Sequence, residues 1–286
     1  VYIADPGEYT YFTRTPEYAF LSNVSVGGVS VDPGITPVLG GGAVYINGAL
    51  DDTGNLYLWG FNNVGQLGQG NTTNSTTPLQ VKGVGGTGYL ENIIDFNCGS
   101  GDPQFVVACD KNGKCYAWGG NNDGQLGQGD TTNSQTPLQV KGVDGSGFLE
   151  NIVSVGVGHG HSLACDSTGN VYAWGDNFYN SSTTQGMIGD GTTTNRTTPV
   201  KVLGVDGTGH LTDVIQVVGQ PFTSHALTST GNVYSWGSNR FGECGDGTTT
   251  NRLIPVQVVG VGGTGYLSGI TKLGHDGYSY GIMALG

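Results

Sequence analysis

Charged side chains are scarce in this sequence, and positive ones are the scarcest. Only 11% of the 286 residues are charged, and 22 acidic residues outnumber 10 basic ones, for a formal net charge of −12. Nucleic-acid binding needs clustered lysine and arginine, so this balance excludes a nucleic-acid partner. Apolar runs are too short to cross a bilayer, which excludes membrane insertion. No segment keeps the period of an amphipathic helix, which excludes a helical fold.

Cysteine is sparse and odd in number. Five cysteines leave at least one thiol without an internal partner if the others pair. The chain begins at Val1 with neither a methionine nor a signal-like apolar segment, so we expect a processed product or part of a longer protein. Acidity, sparse lysine and plentiful threonine and asparagine favour an extracellular chain, whether secreted or displayed on a cell surface or a virion.

Glycine is abundant, with 54 residues, and it recurs at fixed positions of a sequence repeat that extends along most of the chain. Four times a short apolar segment ends in Trp-Gly, and a loop rich in threonine and asparagine then leads to a proline. The tryptophans are Trp59, Trp118, Trp174 and Trp236, and the prolines are Pro78, Pro137, Pro199 and Pro255. Short runs rich in valine, isoleucine and tyrosine, bounded by turn residues, predict strands. Each unit is therefore predicted to be a four-stranded antiparallel meander.

A glycine precedes each Trp-bearing strand. The Asn-Gly and Thr-Gly steps at these positions predict hairpin turns with positive φ. The glycines are Gly54, Gly113, Gly169 and Gly231. One meander cannot bury both of its faces, so neighbouring units are expected to stack around an axis.

The repeated words resemble a known family. HSLAC from His161, NVYAWGDN from Asn170 and GQLGQG from Gly124, with TPLQV after the loop, are similar to the regulator of chromosome condensation (RCC1) repeat, over about residues 35–286. The resemblance implies an all-β fold, a β-propeller of four-stranded blades. We expect one domain of five blades over residues 1–286. The expected blades are 46–103, 104–160, 161–221 and 222–277, with a closing blade made from degenerate strands in 1–45 and the last strand in 278–286.

The closing blade joins the two chain ends, which removes an exposed sheet edge. Two alternatives stay open. The C-terminal strand could complete the blade of the next molecule and build a filament. The chain could also be an open fragment of a longer repeat array.

The cysteines occupy positions where other units hold apolar residues, which predicts buried scaffold. Cys115 aligns with Val171, and Cys244 aligns with Leu67. Cys109 and Cys115 flank one hairpin and are a candidate disulfide in an oxidising compartment. The spacing is not that of a zinc site, and no basic neighbour favours a reactive thiolate.

Three other motifs have residue types that are found in binding or catalytic sites, but a structural role explains them better. The Asn/Asp/Gly segment 121–130 lacks the spacing of a calcium loop, and its repetition favours turns made by side-chain-to-backbone bonds. His159 and His161 could chelate a transition metal, but they match a repeat position and favour a structural histidine. Ser162 lacks the elbow and acid of a hydrolase. The tryptophans are expected to pack cores or blade contacts.

Two stretches depart from the repeat, at 8–31 and 176–187, and their aromatic residues are the candidate contact surface. These residues are Tyr9, Tyr11, Phe12, Tyr18, Phe178 and Tyr179. Candidate glycosylation sequons stand at Asn23, Asn71, Asn74, Asn180 and Asn195.

No set of residues has the pattern of a catalytic, metal or cofactor site. The sequence therefore favours a non-catalytic extracellular scaffold, a surface, filament or appendage subunit that binds protein partners or copies of itself. One alternative is a virion tail or fibre module that binds a receptor such as a glycan, and another is an inhibitor of a secreted enzyme. The resemblance also implies nucleotide exchange on a small GTPase, but this acidic chain lacks the basic tail and surface of that role.

Overall fold

The computed structural model describes residues 25–26, 29–30, 45–178, 185–274 and 283–286, and side chains are described from Tyr45 onward except at Met283. The described residues form strands joined by turns and three short 3-10 turns. The strands are β1 (Ser25–Val26), β2 (Val29–Ser30), β3 (Ile46–Leu50), β4 (Leu56–Gly60), β5 (Ser75–Gln80), β6 (Ile93–Cys98), β7 (Phe105–Asp110), β8 (Cys115–Gly119), β9 (Ser134–Gln139), β10 (Ile152–Val157), β11 (His161–Asp166), β12 (Val171–Gly175), β13 (Arg196–Lys201), β14 (Val214–Gly219), β15 (Thr223–Thr228), β16 (Val233–Gly237), β17 (Arg252–Gln257), β18 (Lys272–Gly274) and β19 (Met283–Leu285). The 3-10 turns are Val84–Gly86, Val143–Gly145 and Val261–Gly263. The described part contains no helix with the length and hydrophobicity of a bilayer-spanning segment.

The strands pair as antiparallel meanders. Three sheets have four strands each, in the orders β6-β7-β8-β9, β10-β11-β12-β13 and β14-β15-β16-β17. A three-stranded sheet, β3-β4-β5, precedes them, and the pair β18-β19 follows them. The prediction of an all-β chain built from four-stranded blades is confirmed. The closing blade depends on residues 1–24, 31–44 and 275–282, which lie outside the described part.

The expected blade boundaries are wrong by one strand. They fall between residues 103 and 104, 160 and 161, and 221 and 222. The structure hydrogen-bonds β6 to β7, β10 to β11 and β14 to β15 across these boundaries. A repeat has a period but no intrinsic starting point, so only the strand pairing shows which strand begins a blade.

The first strands of the sheets lie side by side around the axis. Asp95, Ser154 and Gln216 occupy the same position on β6, β10 and β14, and each bonds to the backbone of the next first strand. The amide of Val155 donates to Asp95 Oδ2 at 2.9 Å, and Gln216 bonds both the amide and the carbonyl of Leu273 at 2.8 Å. These bonds fix the order of the blades around the ring.

The apolar core lies between neighbouring sheets. Phe96 and Trp118 of one blade belong to the same buried cluster as Leu58 and Leu67 of the preceding blade. Since each sheet covers its neighbour, a single blade has no complete core of its own.

Each fully buried tryptophan also bonds across the blade boundary. The indole Nε1 of Trp118 donates to the carbonyl of Gln66 at 3.0 Å, and that of Trp174 donates to Gln125 at 2.8 Å. Trp236 donates to Met187 at 2.9 Å. The expected blade-to-blade role is thus found for these three tryptophans, whereas Trp59 is only half-buried.

The hairpin turns have the expected left-handed glycines. Gly113 has φ 79°, and a Cβ at this position would lie 2.5 Å from the Cα of Asn151. Positive φ and the close approach of another backbone both require glycine here. Gly54, Gly169 and Gly231 have φ values between 79° and 86°.

A candidate interaction surface on one end of the ring

The two ends of the ring differ in the loops that they carry. We call one end the loop face, where the first and third strands of each blade end. It comprises residues 45, 60–75, 98–105, 119–134, 157–161, 175–178, 185–196, 219–223 and 237–252. We call the other end the hairpin face. It comprises residues 50–56, 80–93, 110–115, 139–152, 166–171, 201–214, 228–233 and 257–272.

A buried asparagine organises each long loop of the loop face. Asn121 is fully buried, and its Nδ2 donates to the carbonyls of Asp130 and Thr132 at 3.1 and 3.0 Å. Its Oδ1 accepts from the amide of Leu126 at 2.9 Å. Equivalent bonds are made by Asn62, Asn177 and Asn239. The Asn/Asp/Gly motif therefore forms turns. The carbonyl oxygens of Asp130 and Thr132 accept hydrogen bonds from the side-chain amide of Asn121.

The histidine pair does not converge on a common point. His161 is fully buried, and its Nε2 lies 3.0 Å from Ser224 Oγ of the next blade. Burial lowers the pKa of His161 to about 3. His159 lies in the β10–β11 connection with its ring 5.6 Å from that of Phe222. Within the described ranges, no three acidic, histidine or cysteine side chains come together as a metal site.

The serine next to His161 is structural too. Ser162 is buried, and its hydroxyl donates to the carbonyl of Gln125 at 2.8 Å, the same oxygen that accepts from Trp174. A hydroxyl held in this way is not positioned as a nucleophile.

All five cysteines are buried, and the disulfide expected between Cys109 and Cys115 is not formed in this structure. Burial raises the pKa of Cys165 and of Cys244 to about 12, which disfavours a reactive thiolate. The inward apolar position inferred for the cysteines is confirmed, since all five lie in the interior.

The register nevertheless places Cys109 directly opposite Cys115. The backbone amide of Asp110 donates to the carbonyl of Lys114, and the backbone amide of Gly120 donates to the carbonyl of Gln104. Hydrogen-bonded and non-hydrogen-bonded pairs alternate along two antiparallel strands, so Cys109 and Cys115 form a non-hydrogen-bonded pair. The Cα separation of such a pair, about 4.5 Å, is one that a disulfide can span. The protein is folded in an oxidising buffer and is then denatured and alkylated without a reductant. We expect two of its five thiols to escape alkylation because they form the disulfide. Cys115→Val, which restores the residue at position 171, is expected to leave every remaining thiol reactive. Full alkylation of the oxidised wild-type chain would show that the disulfide does not form.

Carboxylates gather around the centre of the loop face. A Cβ on Gly160 would lie 3.5 Å from Asp123 Oδ2 and 3.6 Å from Asp176 Oδ2. Burial, with Asp123 as the nearby charge, raises the pKa of Asp176 to about 6. Burial also raises the pKa of Asp123, and it lowers that of His159 despite the attraction of Asp123 and Asp102. Within the described residues, the positive group that acts on Asp123 is His159, whose own pKa is lowered.

Asp176→Asn is expected to stabilise the fold at neutral pH. The pKa of Asp176 is raised above its unfolded value of 3.8, so its contribution is intact below about pH 4 and is lost as the pH rises through about 6. We expect the variant to gain about 1–3 kcal/mol at about pH 7 and little at about pH 4, because asparagine keeps the oxygen that accepts from Phe178. Urea unfolding at several pH values measures this gain.

Asp206→Asn is the control for that experiment. A hydrogen bond from the amide of Thr208 lowers the pKa of Asp206, so removing its charge has the opposite sign of effect. A gain of the same size in both variants would contradict the burial of Asp176.

Exposed aromatic residues distinguish the two faces. On the hairpin face they stand at one equivalent position in three of the four units, at Tyr89, Phe148 and Tyr266, where the remaining unit has His210. On the loop face Phe61, Phe178 and Phe241 are exposed at three different positions of their units, where most other units hold small, polar or aliphatic residues. Tyr45 is also exposed on this face, with its ring 5.9 Å from that of Phe61. Folding of the repeat does not require the three phenylalanines.

Of the residues predicted for contact, only Phe178 lies in the described part, where it is 43% exposed. Tyr9, Tyr11, Phe12, Tyr18 and Tyr179 lie outside it. Phe61 and Phe241 were missed from the sequence. Alignment of the units after each Trp-Gly shows that both depart from the other copies.

Lysine is missing from the loop face. The lysines are Lys82, Lys111, Lys114, Lys141, Lys201 and Lys272, all on the hairpin face. Of the arginines on the loop face, Arg196 and Arg252 each pair with an aspartate of their own loop. The described part of the loop face has seven acidic side chains, at Asp102, Asp123, Asp130, Asp176, Asp190, Glu243 and Asp246, against three arginines, Arg196, Arg240 and Arg252, so this face is predominantly negative.

Three of the predicted sequons lie in the described part. Asn71 and Asn74 are exposed, but Asn74 Oδ1 accepts from the amide of Asn62 at 2.8 Å. Asn195 accepts from the amide of Asn177 at 2.8 Å and donates to Asp123 at 3.2 Å. Asn133 accepts in the same way although no sequon is present there. The repeat therefore explains the asparagines at 74 and 195 without glycosylation. Asn23 and Asn180 lie outside the described part.

Comparison with known proteins agrees with this geometry. The family model described as the regulator of chromosome condensation (RCC1) repeat matches residues 53–101, 112–165 and 230–272, and a second model of this repeat matches residues 152–181. The chain belongs to the RCC1-repeat family. It is 31% identical to the ultraviolet-B receptor UVR8 of Arabidopsis thaliana over 72% of this chain and 42% of that protein. It is also 31% identical to the human E3 ubiquitin-protein ligase HERC2 over 75% of this chain and 4% of that protein.

Solved RCC1-type propellers share the fold. Human WBSCR16 superposes with a TM-score of 0.61 at 21% identity, over 77% of this chain and 52% of that chain. Yeast RCC1 (Prp20), solved with Kap60 bound, gives a TM-score of 0.59 at 19% identity, over 82% of this chain and 51% of that chain. Prp20 has also been described for its binding to Gsp1p and histones. Prp20 therefore binds other proteins. This RCC1-repeat chain spans about half or less of the length of these relatives.

Proposed function

We propose that this RCC1-repeat chain is a non-catalytic extracellular scaffold that binds a protein partner through its loop face. The observation that carries the proposal is the set of exposed aromatic residues, Phe61, Phe178 and Phe241, that the repeat does not require. Aromatic side chains on a rigid scaffold anchor protein interfaces, and loops are where recognition concentrates.

The charge of the loop face sets the chemistry of the partner. Lysine is absent from this face, and in the part of the chain that the structure describes the positive group that acts on Asp123 is His159, whose pKa is lowered. A partner with exposed lysine or arginine is therefore complementary to it. Protonation of Asp176 and Asp123 removes this negative charge, so binding is expected to weaken as the pH falls below about 6.

Site-specific photocrosslinking in the producing cells tests the surface. A photoreactive amino acid replaces Phe178 in one variant and Phe148 in a second variant. The first variant tests the loop face, and the second tests the hairpin face. We expect a discrete crosslinked protein from position 178 that is lost when Phe61 and Phe241 are both changed to serine. Position 148 is the control and is expected to give no such product. Equal crosslinking from both positions, or persistence after the double substitution, would refute the loop face as the interface.

The extracellular location rests on the composition of the chain. Fractionation of the producing cells, with surface labelling of intact cells, tests it. Recovery of the chain only from the cytosol would overturn that part of the proposal while leaving the interaction surface standing.

Self-assembly is the second candidate, and one feature of β19 favours it. The strand pairs with β18 on one edge, and within residues 25–26, 29–30, 45–178, 185–274 and 283–286 no strand pairs with its other edge. Leu285 at this edge is 64% exposed. A free edge can accept a strand from another molecule. Light scattering over a range of concentrations is expected to show polymers that vanish when residues 278–286 are deleted. A monomer at every concentration would exclude assembly.

A further inference from the structure

An open cavity of about 340 Å³ lies on the hairpin face of the blade β14–β17, away from the loop face. The connection between β13 and β14 forms one wall, and the β15–β16 hairpin forms the other. Its polar lining includes Asp206, His210, Asp213, Thr228, Asn232 and Tyr234. The volume is near the lower end of the range for small-molecule sites.

The cavity stands where this blade departs from the others. In the other described blades a tyrosine hydroxyl donates to an aspartate that opens the hairpin, as Tyr172 does to Asp166 at 2.9 Å and Tyr116 to Asp110 at 3.0 Å. In β14–β17 the aspartate is replaced by Thr228. The hydroxyl of Tyr234 then has no hydrogen-bond partner among the described residues.

The hairpin turn does not require threonine in place of aspartate at position 228. Thr228 Oγ1 accepts from the amide of Asn232 at 3.1 Å, as Asp166 Oδ1 accepts from Asn170 at 3.0 Å. The hairpin therefore keeps its geometry. What changes is the cavity, which loses a carboxylate and gains a free phenol hydroxyl.

The lining selects among classes of ligand. Asp206 and Asp213 disfavour an anion, since neither lysine nor arginine lines the cavity. The exchange of aspartate for Thr228 leaves this blade without the carboxylate that the others hold at this position, so added negative charge is not the feature that distinguishes the cavity. The carboxylates accept hydrogen bonds, and the Tyr234 hydroxyl and the Asn232 amide can donate them. The rings of Tyr234 and His210 add aromatic surface.

A neutral ligand with many hydroxyl groups and an apolar face matches this set. We propose that the cavity between Asp206 and Tyr234 is a saccharide-binding site. The site is independent of the loop face and goes beyond the proposed interaction with a protein.

Saturation-transfer NMR with the methyl glycosides of glucose, galactose, mannose and N-acetylglucosamine tests the site on the full chain. We expect transfer to at least one glycoside. Thr228→Asp restores the residue of the other blades, so the fold is kept while the Tyr234 hydroxyl is occupied, and binding is expected to disappear. Tyr234→Phe is expected to weaken binding by about three- to tenfold through the loss of one hydrogen bond.

Tyr172→Phe is the matched control, because it removes the same hydroxyl from a blade that retains its aspartate. It is expected to bind like the wild-type chain. The proposal is overturned by no transfer to any of the four glycosides, or by equal transfer in Thr228→Asp. Transfer to tetramethylammonium in place of the glycosides would show a cation site and overturn it as well. None of these results bears on the loop face.

Discussion

Trp174→Ala is expected to lower the free energy of unfolding by about 3–5 kcal/mol. Trp174 is fully buried between two blades, so truncation leaves a cavity that neither sheet can close. The substitution also removes the 2.8 Å bond from the indole to the carbonyl of Gln125 in the preceding blade. Urea unfolding followed by circular dichroism measures the loss without relying on tryptophan fluorescence.

Trp174→Phe separates the two contributions. Phenylalanine keeps most of the buried volume but cannot donate, and Ser162 still donates to the same carbonyl. We therefore expect a smaller loss, of about 1–2 kcal/mol. If the alanine variant lost no more than the phenylalanine variant, packing between blades would not be the main role of Trp174.

Asn121→Asp is expected to cost about 3–5 kcal/mol at neutral pH, although the two side chains have nearly the same shape. The substitution places a carboxylate oxygen against the carbonyls of Asp130 and Thr132, where Nδ2 now donates at 3.1 and 3.0 Å. The introduced charge is buried, and although one oxygen still accepts from the amide of Leu126, no positive side chain of the described residues pairs with it. Its pKa is expected to be raised, so the stability difference from the wild type shrinks as the pH falls. Thermal unfolding at several pH values measures this difference.

Asn122→Asp is the matched control, since it introduces the same charge one residue later at an exposed position. Its effect is expected to stay within about 0.5 kcal/mol. Added calcium distinguishes the turn from an ion site. We expect it to leave the melting temperature of the wild-type chain unchanged. A marked rise would show that the loop oxygens bind the ion and would contradict the turn interpretation.

The repeat made most of the fold predictable. Short apolar runs, the glycine before each Trp-bearing strand and the proline after each loop gave the strands and turns correctly, because these depend on neighbouring residues. The blade boundaries were wrong because a period does not show whether β6 pairs with β7 or joins the preceding unit. Cys109 and Cys115 were placed correctly in the interior for the same local reason.

The candidate surface was predictable only in part. Phe178 was found because an insertion follows the Trp-bearing strand of its unit, whereas Phe61 and Phe241 replace single residues in units of normal length. The absence of lysine from the loop face became visible only when the strand order assigned each loop to one end of the ring.

By itself, the sequence determined the meander, its turns and the inward cysteines, because hydrophobic periodicity and glycine conformation act over a few residues. Only the tertiary structure decided which strands share a blade, that Trp174 and Ser162 share one carbonyl of the neighbouring blade, and that Thr228 leaves Tyr234 without its partner in an open cavity. These arrangements depend on which strands pair and on how complete sheets pack against each other, and neighbouring residues in the sequence do not determine either.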